Sequence, residues 1–111
     1  MNLISWDDFE KIDIRVGTIA EVNDFPKAKK PSYQLKIDFG ELGFKNSSAQ
    51  ITTLYNKDEL IGRQVIAIVN FPRKQIANFF SECLVLGVYT DEQEVVLLRP
   101  ERSVENGWKI G

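Results

Sequence analysis

Histidine does not occur in this sequence, and cysteine occurs once, as Cys83. Without an imidazole the chain has no ordinary general base for a serine or cysteine nucleophile, and it lacks the commonest metal ligand. A single thiol excludes an intramolecular disulfide and, with no histidine beside it, a zinc site of ordinary composition. No apolar run approaches the ~20 residues that a membrane helix needs. The opening residues Met1 to Asp8 carry no basic stretch followed by an apolar one. The expectation is a cytoplasmic protein in a reducing compartment, without membrane insertion. A phosphate-cradling glycine loop is missing too, since Gly40-Glu41-Leu42-Gly43 is too short and lacks the motif context. The neighbouring carboxylates Asp38 and Glu41, or Asp91 and Glu92, fall in turn-like segments where solvated acids are expected. No catalytic residue, metal ligand or cofactor is assigned, and a binding module is expected rather than an enzyme.

What is present is the material of one small domain. The 111 residues are 43% apolar, enough for a single core, and no linker, repeat or low-complexity segment divides residues 1–111. Fourteen basic residues face 16 acidic ones, for a net charge of −2, but the signs are segregated. Lys27, Lys29 and Lys30 form one basic cluster, and Arg73 with Lys74 forms another. Acids gather near the start (Asp7, Asp8, Glu10) and near the end (Asp91, Glu92, Glu94). A basic patch on an acidic protein follows, because local clusters steer ligands more than the total does. The stretch Val69-Asn70-Phe71-Pro72-Arg73-Lys74-Gln75-Ile76, with Phe79-Phe80 close behind, crowds aromatics and cations into one short connection. Such a surface suits an extended peptide or a nucleic acid.

The hydrophobic pattern is that of many short strands. Ser5 is placed to cap a brief helix that begins at Trp6, with Asp7 and Asp8 favouring the positive end of its dipole. Ile12, Ile14 and Val16 then alternate as a strand, and the apolar phase slips at Ile19, which predicts a bulge or bend at Gly17. Asn23 to Ser32, with two prolines and three lysines, reads as a loop. Tyr33, Leu35, Ile37 and Phe39 alternate cleanly, Gly40 and Gly43 mark a turn, and Phe44 to Ile51 returns as a strand. Asn56 to Leu60 forms one helical turn before Gly62. Gln64 to Val69 and Leu84 to Val88 read as central strands, Glu94 to Leu98 as another, and Trp108 and Ile110 as a short last one. The expected fold is all-β: a five-stranded antiparallel barrel of the OB type with a short N-terminal helix and additional terminal strands. A β-sandwich is its main rival. Cys83, at a strand start beside Leu84 and Val85, reads as a buried structural cysteine.

The chain also resembles a known family. Asp13-Ile14-Arg15-Val16-Gly17-Thr18-Ile19, Ile37-Asp38-Phe39-Gly40, Ser47-Ser48-Ala49-Gln50-Ile51-Thr52, Gln64 to Pro72, Ser81 to Gly87 and Val96-Leu97-Leu98-Arg99-Pro100 are similar, in order, to the free-standing tRNA-binding-domain family of OB folds. The Ser-Ser-Ala-Gln-Ile-Thr and Val-Asn-Phe-Pro stretches resemble the CsaA-type protein-export chaperones within it. That resemblance implies an OB barrel whose extra terminal elements make a homodimer, and a chaperone that recognises precursor polypeptides. Relatives include the tRNA-binding module of some methionyl- and phenylalanyl-tRNA synthetases. Two stretches depart from those tRNA-binding relatives, which tend to read Ala-Asp-Lys-Leu and Ser-Glu-Gly-Met. Here Ala28-Lys29-Lys30-Pro31 and Ser81-Glu82-Cys83-Leu84 stand instead. Pro31 stiffens the approach to the following strand, while Lys30 keeps the cation.

These readings select three sets of residues. For an apolar pocket that takes non-native or precursor polypeptide, the set is Phe25, Tyr33, Phe71, Pro72, Ile76, Phe79 and Phe80, although Tyr33 on its alternating strand also fits the core. Phe79 and Phe80, adjacent in an extended segment, cannot both point inward. For a basic face that takes tRNA or other RNA, the set is Lys30, Lys36, Arg73, Lys74 and Ser81. For a homodimer contact, the large apolar residues near the chain ends are Trp6, Phe9, Trp108 and Ile110. Protein-translocation components are further expected partners, and a dimer that merely scaffolds another protein is a weaker reading.

Overall fold

The computed structural model describes residues 1–111. The chain starts with a five-residue helix, α1 (Trp6–Glu10), closed at its N-terminus by a reciprocal cap. The Ser5 hydroxyl accepts from the Asp8 amide at 3.1 Å, and the Asp8 carboxylate accepts from the Ser5 amide at 3.1 Å. A meander follows: β1 (Ile14–Asp24), β2 (Tyr33–Asp38) and β3 (Phe44–Ala49), with a 3₁₀ turn at Gly40–Leu42 between the last two. After α2 (Lys57–Leu60), capped by Asn56 and Glu59 in the same reciprocal way, come β4 (Gln64–Ile68), the hairpin β5 (Lys74–Ile76) and β6 (Phe79–Ser81), then β7 (Leu84–Val85) and a second hairpin, β8 (Gly87–Tyr89) with β9 (Val95–Leu97).

The five barrel strands run in the order β3-β2-β1-β4-β7, every pair antiparallel. The open edges of β3 and β7 are drawn together by the residues just before β7. The Glu82 amide donates to the Asn46 carbonyl at 2.7 Å, the Asn46 amide to the Glu82 carboxylate at 2.9 Å, and the Ser47 hydroxyl to the Cys83 carbonyl at 3.0 Å. The result is the nearly closed five-stranded OB barrel with a short N-terminal helix that the sequence predicts. Its interior is filled by Ile19, Leu35, Ile37, Phe39 and Val65, and Leu60 of α2 is buried against the same cluster. Each such side chain contributes roughly 1.5–3 kcal/mol through the water it sheds. Cys83 belongs to this core, and burial pushes its thiol up to about 12, so it is protonated and structural, as expected.

The expected bulge is displaced. The register of β1 against β2 slips between Ile19 and Glu21, at Ala20, and Gly17 pairs regularly with Val65 of β4. Gly17 serves close packing instead: a Cβ there would lie 2.6 Å from Ile37 Cγ2 and 2.7 Å from the Phe39 ring. The slip in apolar phase has another cause. Val16 and Ile19 are both buried, but only Ile19 belongs to the core cluster, so both faces of β1 are covered where the pattern changes.

Long β1 has a third neighbour besides β2 and β4. Its second half pairs with β2, while beside its first half the C-terminal segment adds a short edge. The Val16 amide donates to the Trp108 carbonyl at 3.0 Å, the Gly107 amide to the Val16 carbonyl at 2.7 Å, and the Ile110 amide to the Ile14 carbonyl at 2.8 Å. Gln64 holds the approach to this edge from both sides, donating to the Val104 carbonyl at 2.7 Å and accepting from the Val104 amide at 3.1 Å. The expected strand from Leu84 to Val88 is split at Leu86, where the chain leaves β4 and turns to pair with β9.

Candidate binding groove

Between β4 and β7 the chain leaves the barrel as the β5–β6 hairpin. Its departure is fixed by Asn70, whose side chain accepts from the Asp13 amide at 2.9 Å and donates to the Lys11 carbonyl at 2.7 Å. With Asn70 anchored below, Phe71 and Pro72 are carried onto the surface, where Phe71 is 53% exposed. The hairpin pairs Lys74 with Ser81, Gln75 with Phe80 and Ile76 with Phe79 around a tight turn in which Ala77 has φ 53°. It then leans back over the barrel. The Ser81 hydroxyl accepts from the Ser48 amide at 3.3 Å, and the Phe79 ring meets Phe25 in the lysine-rich loop at 5.4 Å between centroids, tilted by 59°. That aromatic contact joins the hairpin tip to the loop that follows β1.

A trough results, walled by the hairpin, the end of β3 and the lysine-rich loop. One end has a volume of about 530 Å³ and gathers Phe71, Pro72, Ile76 and Leu84 among polar neighbours that include Ser81 and Glu82. The other, also about 530 Å³, is lined by Lys27, Lys29, Lys30 and Lys74. Ser48, Gln50, Lys74 and Ile76 line both, so the two ends are one continuous groove. None of the four lysines has a carboxylate within ion-pair distance, whereas Lys11, Lys36, Lys57, Arg15 and Arg102 are all paired. The one carboxylate lining the groove, Glu82, sits at the apolar end with an oxygen engaged by the Asn46 amide.

Of the residues the sequence singled out, the groove gathers Phe71, Pro72, Ile76, Lys30, Lys74 and Ser81. Phe25 and Tyr33 lie beneath it. Phe25 is 4% exposed under Phe79, and Tyr33 is in the core with its hydroxyl donating to the Tyr55 carbonyl at 2.9 Å. The Phe79–Phe80 pair divides as expected: Phe79 is half-buried against Phe25, and Phe80 is exposed. Phe80 does not line the groove, and the Arg73 guanidinium covers its ring at 4.5 Å from the centroid. Lys36 is spent elsewhere on the outer face of β2, 3.2 Å from the Glu21 carboxylate and 5.0 Å from the Phe44 ring. Sequence reasoning missed Ser48, Gln50 and Leu84. The signal for Ser48 was the alternation of β3, which turns Ser47 inward and Ser48 out.

The terminal residues lie outside the groove. Trp6 is 81% and Trp108 55% exposed, Phe9 and Ile110 are half-buried, and Ile4, Ser5, Trp6 and Phe9 border an open hollow. Near it, Asp13 accepts from Arg15 at 2.6 Å, and this hydrogen bond holds its carboxyl below the usual carboxylate range.

A nearly closed five-stranded barrel with a groove beside the β5–β6 hairpin defines a domain of the OB class. Residues 14–109 match the family described as putative tRNA binding domain, and the chain belongs to that family. Over its whole length it is similar to two solved CsaA chaperones. One, from Picrophilus torridus, is 59% identical, with a TM-score of 0.92 and coverage of 98% of this chain and 100% of that one. The other, from Bacillus anthracis, is 48% identical, with a TM-score of 0.95 and coverage of 99% and 100%. Curated relatives include the methionine–tRNA ligase of Thermococcus kodakarensis, 36% identical over 110 residues; these are 99% of this chain and 14% of that ligase, so the likeness concerns a small part of the larger protein.

Proposed function

We propose that this chain is a chaperone of the CsaA type that holds extended segments of non-native or precursor polypeptide in the groove under the β5–β6 hairpin, and that it is not an enzyme. The observation that carries this reading is the apolar end of the groove: Phe71, Pro72, Ile76 and Leu84 surround a concavity that no other part of the chain fills. Unfolded segments display apolar side chains and unpaired backbone, and a concave surface of this kind takes one or two such side chains at a time. Affinity is modest, because a flexible peptide is ordered on binding. The working form is a cytoplasmic homodimer joined through Trp6, Phe9, Trp108 and Ile110, acting in export together with translocation components. The likeness to CsaA chaperones over the full chain supports the chaperone role.

A second reading, binding of tRNA, has its own support in the family to which the chain belongs and in the lysines of the groove. Fluorescence anisotropy at physiological salt, with bulk tRNA and an unstructured apolar peptide titrated side by side, separates the two. Peptide binding with little response to tRNA is expected. Tight tRNA binding, steeply weakened by salt as phosphate contacts require, with no response to peptide would reverse the assignment.

A further inference from the structure

Resting on the polypeptide reading of the groove, we propose that its substrate class is narrower than unfolded chain in general: extended segments in which acidic residues lie near an apolar or aromatic one, with basic segments disfavoured. The apolar end receives the side chains, and the other end is an anion-recognition wall. Lys27, Lys29, Lys30 and Lys74 converge there without a carboxylate of the protein's own to neutralise them. They do so on a chain whose net charge is −2, so the groove opposes the sign of the rest of the molecule. Cations left unpaired at the rim of a groove repel basic segments and draw in acidic ones, and the effect is on the rate of capture as well as on affinity. Lys74 borders both ends, so one ligand meets both kinds of wall.

Polypeptide rather than single-stranded nucleic acid is the occupant that the walls favour. Binding of unpaired bases needs exposed aromatic rings in series beside the cations. Here Phe71 is the one aromatic ring lining the groove, Arg73 covers Phe80, and Phe25 is buried under Phe79. The other apolar residues of that end, Pro72, Ile76 and Leu84, are aliphatic and stand beside the Glu82 carboxylate, which suits side chains better than stacked bases.

The test uses labelled unstructured peptides that share one apolar segment and differ only in flanking residues: glutamate, serine or lysine. Each is titrated by anisotropy into the wild-type chain, Phe71→Ser and the Lys29→Glu/Lys30→Glu double variant, whose changes lie on an exposed loop. A Lys74→Glu variant provides an independent charge reversal on the hairpin. Two or three exposed ion pairs amount to about tenfold in affinity. The expected result is therefore the glutamate peptide about tenfold tighter than the serine peptide, the lysine peptide weakest, and that order lost or inverted in both charge-reversed proteins. Equal affinity for all the peptides would overturn the charge preference and leave the polypeptide reading intact. Failure of every peptide to bind would remove the polypeptide reading itself. A single-stranded RNA that outcompetes the glutamate peptide and is indifferent to Phe71→Ser would assign the wall to nucleic acid and overturn the proposal.

Discussion

Two apolar surfaces of this molecule lie outside the barrel core, and they differ in shape and in charge. The groove is concave, walled on one side by a hairpin and edged by four unpaired lysines. The terminal surface is open, with Trp6 and Trp108 standing out from the fold and the acids Asp7 and Glu10 beside the Lys11–Asp8 pair. Concavity with an uncompensated charge suits a ligand that arrives, is held and leaves. An open apolar surface bordered by the acids of α1 rather than by unpaired lysines suits a fixed partner such as a second copy, for which symmetry favours a self-complementary contact. Exposed aromatics therefore do not form one class: Phe71 and Trp6 are both uncovered, but one lines a groove and the other stands on an open surface.

The largest effect should come from removing the terminal tryptophans. Trp6→Ser with Trp108→Ser is expected to shift a dimer to monomers, a change on the order of 100-fold in dissociation constant for two central aromatics. Sedimentation velocity would read it. The comparison predicts that such monomers still bind peptide, because the groove is built within one chain; simultaneous loss of both properties would erase the distinction between the surfaces. Gly17→Val is next. It forces a side chain against Ile37 and Phe39 and should cost about 1–3 kcal/mol in urea unfolding, while the folded fraction keeps its peptide affinity. Phe71→Ser should weaken peptide binding about tenfold, the loss of one partly buried aromatic contact, and leave the melting temperature and the oligomeric state unchanged.

The smallest effect concerns Cys83. Burial raises its pKa from 9.0 to about 12, so the folded state favours the thiol and the unfolded state releases its proton first. This contribution to stability is complete below pH 9 and is lost as the pH rises from 9 towards 12. Alkylation at pH 8 should accordingly proceed only after unfolding, although Cys83 borders the groove. Rapid alkylation of the native chain would mean that the floor of the groove opens.

Much of the barrel was legible because it rests on local alternation. Tyr33, Leu35, Ile37 and Phe39 face inward in sequence order, and the capping residues Ser5 and Asn56 mark both helix starts. The groove was legible only in part. Phe71-Pro72 and the lysine clusters announce a binding surface, but the burial of Phe25 is decided by Phe79, 54 residues further along. Nothing local distinguishes Phe25 from Phe71: each precedes a proline, near lysines. The bulge was misplaced for a related reason. Alternation records which face is covered, and Val16 is covered away from the core that takes Ile19. Lys36 looked free until folding placed Glu21 beside it on the neighbouring strand.

Whether polypeptide is held in the groove beside the hairpin can be read directly. Titrating an unlabelled unstructured peptide with acidic and apolar residues into the ¹⁵N-labelled protein, and mapping amide shifts, tests it most directly. Shifts are expected to concentrate at Ser48, Gln50, Phe71, Lys74 and Ile76, with Trp6 and Trp108 unmoved. Shifts centred on the terminal surface, or none under conditions where tRNA moves the lysine-rich loop, would contradict it.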